Sequence, residues 1–228
     1  MLPPEIIGSL RSSYTRAVCM ACIEKGVSYT LTQCLLGAPE LLAINPFGKM
    51  PVMRHGDFAL YESKAIAIYL DRAFPGPPLF PADPQLGALT EQWISVVNSL
   101  LYGTVLNLLM AYLKPQTADG SPDLATVRTI APQLRQQLKV LAAAVAATGY
   151  LVGNVITFAD LNLLTILHNI RRIPGGAELL AAENGLARYH DRHSTRESYR
   201  CTIPPPGPPS RVAAPSRAVS GTSFGDGR

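Results

Sequence analysis

The chain has 228 residues, of which 47% are hydrophobic and 16% charged, and its mean hydropathy is +0.15. This composition is typical of a globular protein that buries a substantial core, as one large domain or two modest ones. No charge-free apolar run approaches the roughly 20 residues that a membrane-spanning helix needs, and the amino terminus lacks the basic and long apolar regions of a signal peptide. We therefore expect a cytoplasmic protein with no membrane partner.

The formal net charge of +4 comes entirely from the carboxyl-terminal part of the chain. Residues 1–186 contain 13 basic and 13 acidic residues, whereas residues 187–228 contain seven basic and three acidic ones. Nucleic-acid binding needs cations clustered on a folded face, and these arginines are dispersed along the chain. We therefore expect no nucleic-acid partner.

The four cysteines are too few and too irregularly spaced for the disulfide framework of a secreted domain, which favours a reducing compartment. Cys19 and Cys22 form a C-x-x-C pattern that can indicate a redox pair. They lie about two turns into a predicted helix, beyond the first turn whose dipole activates such thiols, so we interpret them as buried structural thiols. The four histidines have no metal-ligand spacing with the cysteines, and we expect no metal site.

The first 75 residues predict the element order β-α-β-α-β-β-α. Helix stops, strand-like apolar segments and turn residues place these elements, in chain order, at about residues 5–7, 15–25, 28–31, 39–44, 51–54, 58–60 and 63–73. The helix over 15–25 ends before Gly26, and the last two strands are joined by a tight turn at Gly56. This order is that of a thioredoxin-like α/β domain, which we assign to residues 1–76.

A proline-rich linker over residues 77–82 separates this domain from an all-α helical bundle over residues 83–200. One long helix begins at Pro84 and runs to about residue 113, and a second over about 121–147 contains Pro132, where we expect a kink or a restart. A third helix begins at Thr157, which forms a capping-box pattern with Asp160. Its apolar continuation predicts burial inside the bundle.

Residues 201–228 contain six prolines, four glycines and a single aromatic residue, Phe224. Such a segment buries too little apolar surface to offset its ordering entropy. We expect a disordered tail whose removal leaves stability nearly unchanged.

Three stretches together resemble the glutathione-transferase superfamily: residues 8–16 (GSLRSSYTR), 45–52 (NPFGKMPV) and 60–70 (LYESKAIAIYL). A fourth, residues 153–161, is similar to the family's capping-box segment. The resemblance covers roughly residues 5–200, with features of the zeta class in the serine pair and of the phi class and bacterial members in the other motifs. It implies a glutathione-binding thioredoxin-like domain followed by the helical domain, in a homodimer formed around residues 63–73 and 84–113.

The resemblance also implies roles for individual residues. Ser12 is the expected catalytic residue, whose hydroxyl donates a hydrogen bond to the glutathione sulfur and stabilises its thiolate; plain helix capping by Ser12 or Ser13 is the alternative. The residues expected to bind glutathione are Ser13, Lys49, Met50, Pro51, Glu62 and Ser63. The Met50–Pro51 bond is expected to be cis, and Lys49 could equally be a solvated surface lysine.

The expected reaction is attack of the glutathione thiolate on a small hydrophobic electrophile, as in detoxification, with glutathione as co-substrate and no metal. One alternative is a glutathione-binding protein on the same fold without turnover. Another is a glutathione-dependent reductase or peroxidase. Serine at position 12 argues against the disulfide reductase, because family members that exchange disulfides usually have cysteine at the matching position.

Overall fold

The structure is a computed structural model that describes residues 2–113, 120–206 and 217–219. The chain divides into two compact units. Among the described residues, the first unit contains those up to Phe80 together with those from Glu197, and the second contains those of Pro81–Arg196. The division after Phe80 falls inside the linker that the proline pattern predicts.

The first unit contains the predicted order β-α-β-α-β-β-α. Its elements are β1 (Glu5–Gly8), α1 (Ser13–Glu24), β2 (Tyr29–Gln33), α2 (Pro39–Leu42), β3 (Val52–His55), β4 (Phe58–Tyr61) and α3 (Ser63–Ala73). Helix α1 begins earlier than predicted because Ser12 takes the N-cap position. The turn between β3 and β4 contains Gly56 with a φ of 59°, as its residue types predict.

The four strands form a mixed sheet in the order β4-β3-β1-β2. Strand β1 runs parallel to β2, with Glu5 opposite Thr30, and antiparallel to β3, with Ile7 opposite Val52. Strands β3 and β4 form the antiparallel hairpin. This arrangement confirms the predicted thioredoxin-like fold class for the first unit.

A fifth strand, β5 (Arg217–Val219), pairs antiparallel with β2. The prediction that residues 201–228 are disordered is therefore wrong at these three positions. An unpaired edge strand offers main-chain hydrogen bonds to another segment whatever side chains that segment carries, so composition alone does not exclude pairing. Residues 207–216 and 220–228 of the predicted tail lie outside the described residues.

The second unit is helical, which confirms the other half of the predicted fold class. Its helices are α4 (Pro84–Val96), α5 (Tyr102–Leu113), α6 (Leu124–Val145), α7 (Phe158–Ile170), α8 (Gly176–Ala181) and α9 (Asn184–Ser194), and a π-helical turn, Val97–Leu101, joins α4 to α5. Helix α6 continues through Pro132, so the expected restart is wrong, while the kink stays a prediction. Pro132 and Arg128 are both exposed, and water can bind the Arg128 carbonyl that loses its helical partner.

Helix α7 lies at the centre of the helical unit and is buried along nearly its whole length, as its apolar pattern predicts. Thr157 is its N-cap, and the capping box with Asp160 is present. The Asp160 carboxylate accepts hydrogen bonds from the amide and the hydroxyl of Thr157, both at 2.9 Å. The local sequence therefore predicted both the start and the burial of this helix.

The helical run Pro84–Leu113 is, within the described residues, the one stretch long and apolar enough to cross a membrane, with a mean hydropathy of 1.6 over 18 residues. This corrects the expectation that no apolar run approaches that length. Core helices of globular proteins meet the same two criteria, and 44% of that window is buried in the structure. A single helix of this kind is weak evidence for a membrane span.

Helix α10 (Glu197–Cys201) packs against α1 and belongs to the first unit. After it, Thr202 is completely buried. The structure thus differs from two expectations, that residues up to 200 belong to the helical domain and that the tail has nothing to pack from residue 201. The physical reason is the buried Arg16 of α1, whose guanidinium binds the Tyr199 carbonyl and the Thr202 hydroxyl.

Candidate active site

Three segments that carry the predicted site residues meet at one edge of the sheet. Strand β1 ends at this edge and leads into α1, and Ile7 near its end lies opposite Val52, the first residue of β3. Val52 in turn lies opposite Tyr61, the last residue of β4, which leads into α3. The start of α1, the loop before β3 and the start of α3 therefore lie side by side.

At this edge, β1 approaches α1 and the loop before β3 closely at Gly8. A Cβ atom on Gly8 would lie 2.6 Å from Thr15 Oγ1 and 3.3 Å from Met50 Cβ. A contact of 2.6 Å forces the neighbouring atoms to move. The missing side chain at Gly8 therefore allows the first turn of α1 and Met50 to lie next to the end of β1.

Ser12 is half-buried at the N-cap of α1, where its hydroxyl oxygen accepts a hydrogen bond from the Thr15 amide at 3.3 Å. The sequence left open whether Ser12 caps the helix or binds a sulfur. The geometry is compatible with both roles, because a hydroxyl that accepts through its oxygen keeps its proton to donate. Ser13 is buried at the first helical position, and the positive end of the helix dipole favours an anion beside both residues.

The loop before β3 is stabilised by side-chain hydrogen bonds of Asn45, which is 2% exposed. Its side-chain amide donates to the Lys49 carbonyl at 3.0 Å, and its side-chain oxygen accepts from the Phe47 amide at 3.0 Å. Asn45 is not among the site residues expected from the sequence, although asparagine directly before proline is a typical turn signal. Asn45 therefore holds the loop that ends at Met50.

The Met50–Pro51 peptide bond is cis, as the resemblance implies. Pro51 is buried, and Met50 packs against the apolar cluster around Ile7 and Val52. The side chain of Lys49 is exposed. Its contact with glutathione stays a prediction, and the alternative of a solvated lysine agrees with this exposure.

Helix α3 begins with an unusual residue, Glu62, whose φ of 71° makes it the one non-glycine residue with positive φ in the described part of the chain. Such a conformation costs about 1–3 kcal/mol and is enriched at ligand sites. The Glu62 side chain is exposed and does not cap the helix. The first amides of α3 and the buried Ser63 thus form a helix N-terminus suited to a carboxylate.

Cys19 and Cys22 are completely buried, and all four cysteines, which lie in the described ranges, are free. Burial raises the pKa of the Cys19 thiol to about 12 and raises that of Cys22 well above its ordinary value. Thiols with such pKa values carry almost no thiolate at neutral pH. The interpretation as buried structural thiols is confirmed, and the C-x-x-C pattern is not an activated redox pair.

His193 serves a structural purpose in the helical unit. Its Nε2 lies 2.8 Å from the Gly149 carbonyl oxygen, and its ring contacts those of Tyr150 and Tyr189. Because a carbonyl oxygen only accepts, Nε2 carries the proton of this bond, and burial lowers the pKa of His193, which favours the neutral ring. Among the residues that the structure describes, no group of three or more His, Cys, Asp or Glu side chains could hold a metal ion.

Comparison with known proteins identifies both halves of the chain. The family "Glutathione S-transferase, N-terminal domain" matches residues 6–78, and "Glutathione S-transferase, C-terminal domain" matches residues 105–197. The chain is 32% identical to Glutathione S-transferase 3 of Zea mays over 225 residues, which cover 93% of this chain and 100% of that protein.

Solved structures agree with this match. The apo form of glutathione S-transferase III superposes with a TM-score of 0.77 at 30% identity, covering 90% of this chain and 100% of that one. A glutathione S-transferase I bound with lactoylglutathione gives a TM-score of 0.78 at 25% identity, covering 88% and 98%. With both domains matched in sequence and in structure, the chain belongs to the glutathione S-transferase family and is an enzyme of the glutathione transferase type.

Proposed function

We propose that this glutathione transferase binds glutathione at the sheet edge described above and activates its thiol through Ser12 for attack on a small hydrophobic electrophile. The observation that carries this proposal is the meeting of the starts of α1, β3 and α3 at one edge. In the reaction, the thiol proton leaves to solvent and the sulfur forms a bond to an electrophilic carbon. With an aryl halide the halide departs with its electron pair, whereas with an epoxide or an activated alkene the displaced electron pair stays in the product and takes up a proton from solvent.

Each of the three segments binds a different part of glutathione. The start of α3, with Ser63, receives the γ-glutamyl carboxylate, because its amides point out of an uncapped helix N-terminus. The exposed carboxylate of Glu62 meets the ammonium group, and the main chain of Met50 and Pro51 pairs with the cysteinyl backbone. Ser12 then reaches the sulfur, with Ser13 beside it.

Thiol activation supplies a small part of the rate. Lowering a thiol pKa from about 8.5 to about 6.5 raises the thiolate fraction at pH 7 from roughly 3% to roughly 75%. The less basic thiolate loses nearly one power of ten in nucleophilicity at a Brønsted slope of about 0.45, so the net gain is about threefold. Holding the two reactants in position must therefore provide most of the acceleration.

We expect the purified protein to conjugate glutathione to compounds in a panel of aryl halides, epoxides and activated alkenes, measured by the absorbance of the thioether products. Activity with hydroxyethyl disulfide should be low, because a serine hydroxyl cannot form the mixed disulfide that this exchange requires. Cumene hydroperoxide serves as the probe for peroxidase activity. Glutathione binding by isothermal titration without turnover of any panel member would instead identify a binding protein.

We also propose a homodimer formed around Ser63–Ala73 and Pro84–Leu113. Large apolar side chains on the helical run support it, since Leu89, Leu100, Met110 and Leu113 are 39–56% exposed. Sedimentation equilibrium at micromolar concentration should give twice the 24.5 kDa chain mass. Leu100→Lys should shift the protein to monomer, whereas Val155→Lys, at a similarly exposed apolar position outside this helix, should not. A monomer mass for the unchanged protein would remove the dimer.

The cytoplasm is the proposed location, and detoxification of reactive compounds is the proposed role. The free state of all four cysteines, each within the described ranges, is consistent with a reducing compartment.

A further inference from the structure

Residues 197–206, which we name the C-terminal strap, lie along α1 in the first unit. Their side-chain hydrogen bonds are spaced along α1 from its end to the loop before it. The Ser198 hydroxyl donates to the Glu24 carboxylate at the end of α1. Arg16 donates to the Tyr199 carbonyl (3.1 Å) and the Thr202 hydroxyl (3.3 Å), and Arg11, in the loop before α1, donates to the Pro205 carbonyl (2.7 Å). The strap therefore runs antiparallel to α1 and ends at residues 9–12, the loop that carries Ser12.

The middle contact is made by Arg16, which is 1% exposed. Its guanidinium lies 4.4 Å from the centre of the Tyr199 ring, and Thr202, which accepts from its Nε, is completely buried. Among the described residues, Nη1 of Arg16 has no hydrogen-bond partner, so the strap supplies the bonds that this buried cation makes. A buried charge that loses such partners is costly, which ties the strap firmly to α1.

Both arginines are also joined to Ser12 through the main chain. The Arg16 amide donates to the Ser12 carbonyl at 2.9 Å. Arg11 directly precedes Ser12, and its amide donates to Ser9 Oγ at 3.3 Å. The strap thus holds the Ser12 loop from both sides, through Arg16 in the helix and through Arg11 in the loop.

We propose that the C-terminal strap positions the Ser12 hydroxyl, with Arg11 and Arg16 as positioning residues. This inference rests on the proposed role of Ser12 in thiol activation. A hydroxyl-to-sulfur hydrogen bond depends steeply on distance and angle, so a loop released from the strap donates it poorly. The contacts assigned to Met50 and Ser63 are made by other segments, so binding of glutathione depends little on the strap.

Two truncated chains test the contact at Arg11. A chain ending at Pro206 keeps every strap hydrogen bond, whereas a chain ending at Ile203 loses the Pro205 carbonyl; both lack the same charged residues of the tail. The thiolate absorbance of bound glutathione near 240 nm is measured as a function of pH. In the chain that ends at Pro206, the bound thiol should titrate at the same pH as in the full chain. In the chain that ends at Ile203, the bound thiol should titrate at higher pH, kcat should fall about tenfold, and KM should change by less than about twofold.

A charge-neutral pair of variants tests the contact at Arg16. Thr202→Val removes the hydroxyl that accepts from Arg16 without changing the volume, and it should raise the titration midpoint of the bound thiol. Thr202→Ser keeps the hydroxyl, so the bound thiol should titrate at the same pH as in the unchanged protein. A strap that serves stability alone would lower the melting temperature in Thr202→Val and leave the thiolate titration unchanged, and that result would overturn the inference.

The proposed role of Ser12 in thiol activation is tested separately, by Ser12→Ala. If Ser12→Ala leaves the titration of bound glutathione unchanged, then Ser12 does not activate the thiol, and both the proposal and this inference are wrong. If Ser12→Ala raises the midpoint while the strap variants do not, the inference alone is wrong.

Discussion

Replacing Ser12 with alanine is expected to lower the turnover of glutathione conjugation by about one to three powers of ten, the effect of removing one oriented donor to an anion. The pKa of bound glutathione should rise, so that activity of the variant recovers as pH increases towards the unassisted thiol pKa. Glutathione affinity should fall far less, because Met50, Glu62 and Ser63 provide most of the proposed contacts. The thiolate absorbance near 240 nm and the pH dependence of kcat measure both effects.

The structure makes a sharper control necessary, because Ser12 also caps α1 through the Thr15 amide. Alanine at an N-cap costs about 1 kcal/mol of stability, whereas glycine costs a few tenths. Ser12→Gly lacks the hydroxyl but largely preserves the helix start, so it should lose as much activity as Ser12→Ala while melting closer to the unchanged protein. Wild-type turnover in Ser12→Gly would show that Ser12 acts as a cap alone. Ser13→Ala should be mild, because the sulfur contact is assigned to Ser12.

Replacing Asp160 with alanine is expected to lower the free energy of unfolding by at least about 3 kcal/mol, because each buried donor that loses its acceptor costs about 1–3 kcal/mol. Asp160 is completely buried, and its carboxylate accepts four hydrogen bonds: from the Leu151 amide (2.9 Å), the Thr157 amide (2.9 Å), the Thr157 hydroxyl (2.9 Å) and the Tyr189 hydroxyl (3.0 Å). Alanine would leave these donors buried without their acceptor, at the start of the most buried helix of the second unit.

Tyr189→Phe is the matched control for Asp160, because it removes one of the four donors and leaves the carboxylate in place. We expect a loss of about 1 kcal/mol, the usual value of a single hydrogen bond. Urea unfolding monitored by circular dichroism gives both free energies by linear extrapolation. Similar losses in Asp160→Ala and Tyr189→Phe would mean that the Tyr189 bond dominates and that the cap at Thr157 contributes little.

Much of the candidate site could be predicted because its signals are local. Ser12 and Ser13 are the N-cap and the first residue of a helix, Pro51 precedes a strand, and Ser63 begins a helix after a hairpin, so residue types within a few positions determine where each helix and strand begins. The resemblance of these motifs to a known family then supplied the cis bond at Pro51, which the structure contains. The assignments of the individual side chains stay predictions.

The Glu62 conformation and the hydrogen bonds of Asn45 could not be predicted in the same way. Glutamate has no preference for positive φ, so the residue types around this position do not predict the φ of 71°. Asn45 is a common turn residue, and its bond to the Lys49 carbonyl depends on how the whole loop folds back.

The sequence by itself determined the element order of the first domain, the all-helical class of the second, the start of α7 at Thr157 and the burial of that helix, because each follows from hydrophobic period and capping chemistry within one or two turns. Only the tertiary structure decided that residues 197–206 pack on α1. Arg16 and Tyr199 are 183 positions apart, and Arg11 and Pro205 are 194 apart. No local pattern records such a pairing. The buried guanidinium of Arg16 needs acceptors, and which carbonyl and hydroxyl provide them is settled only when distant segments pack together.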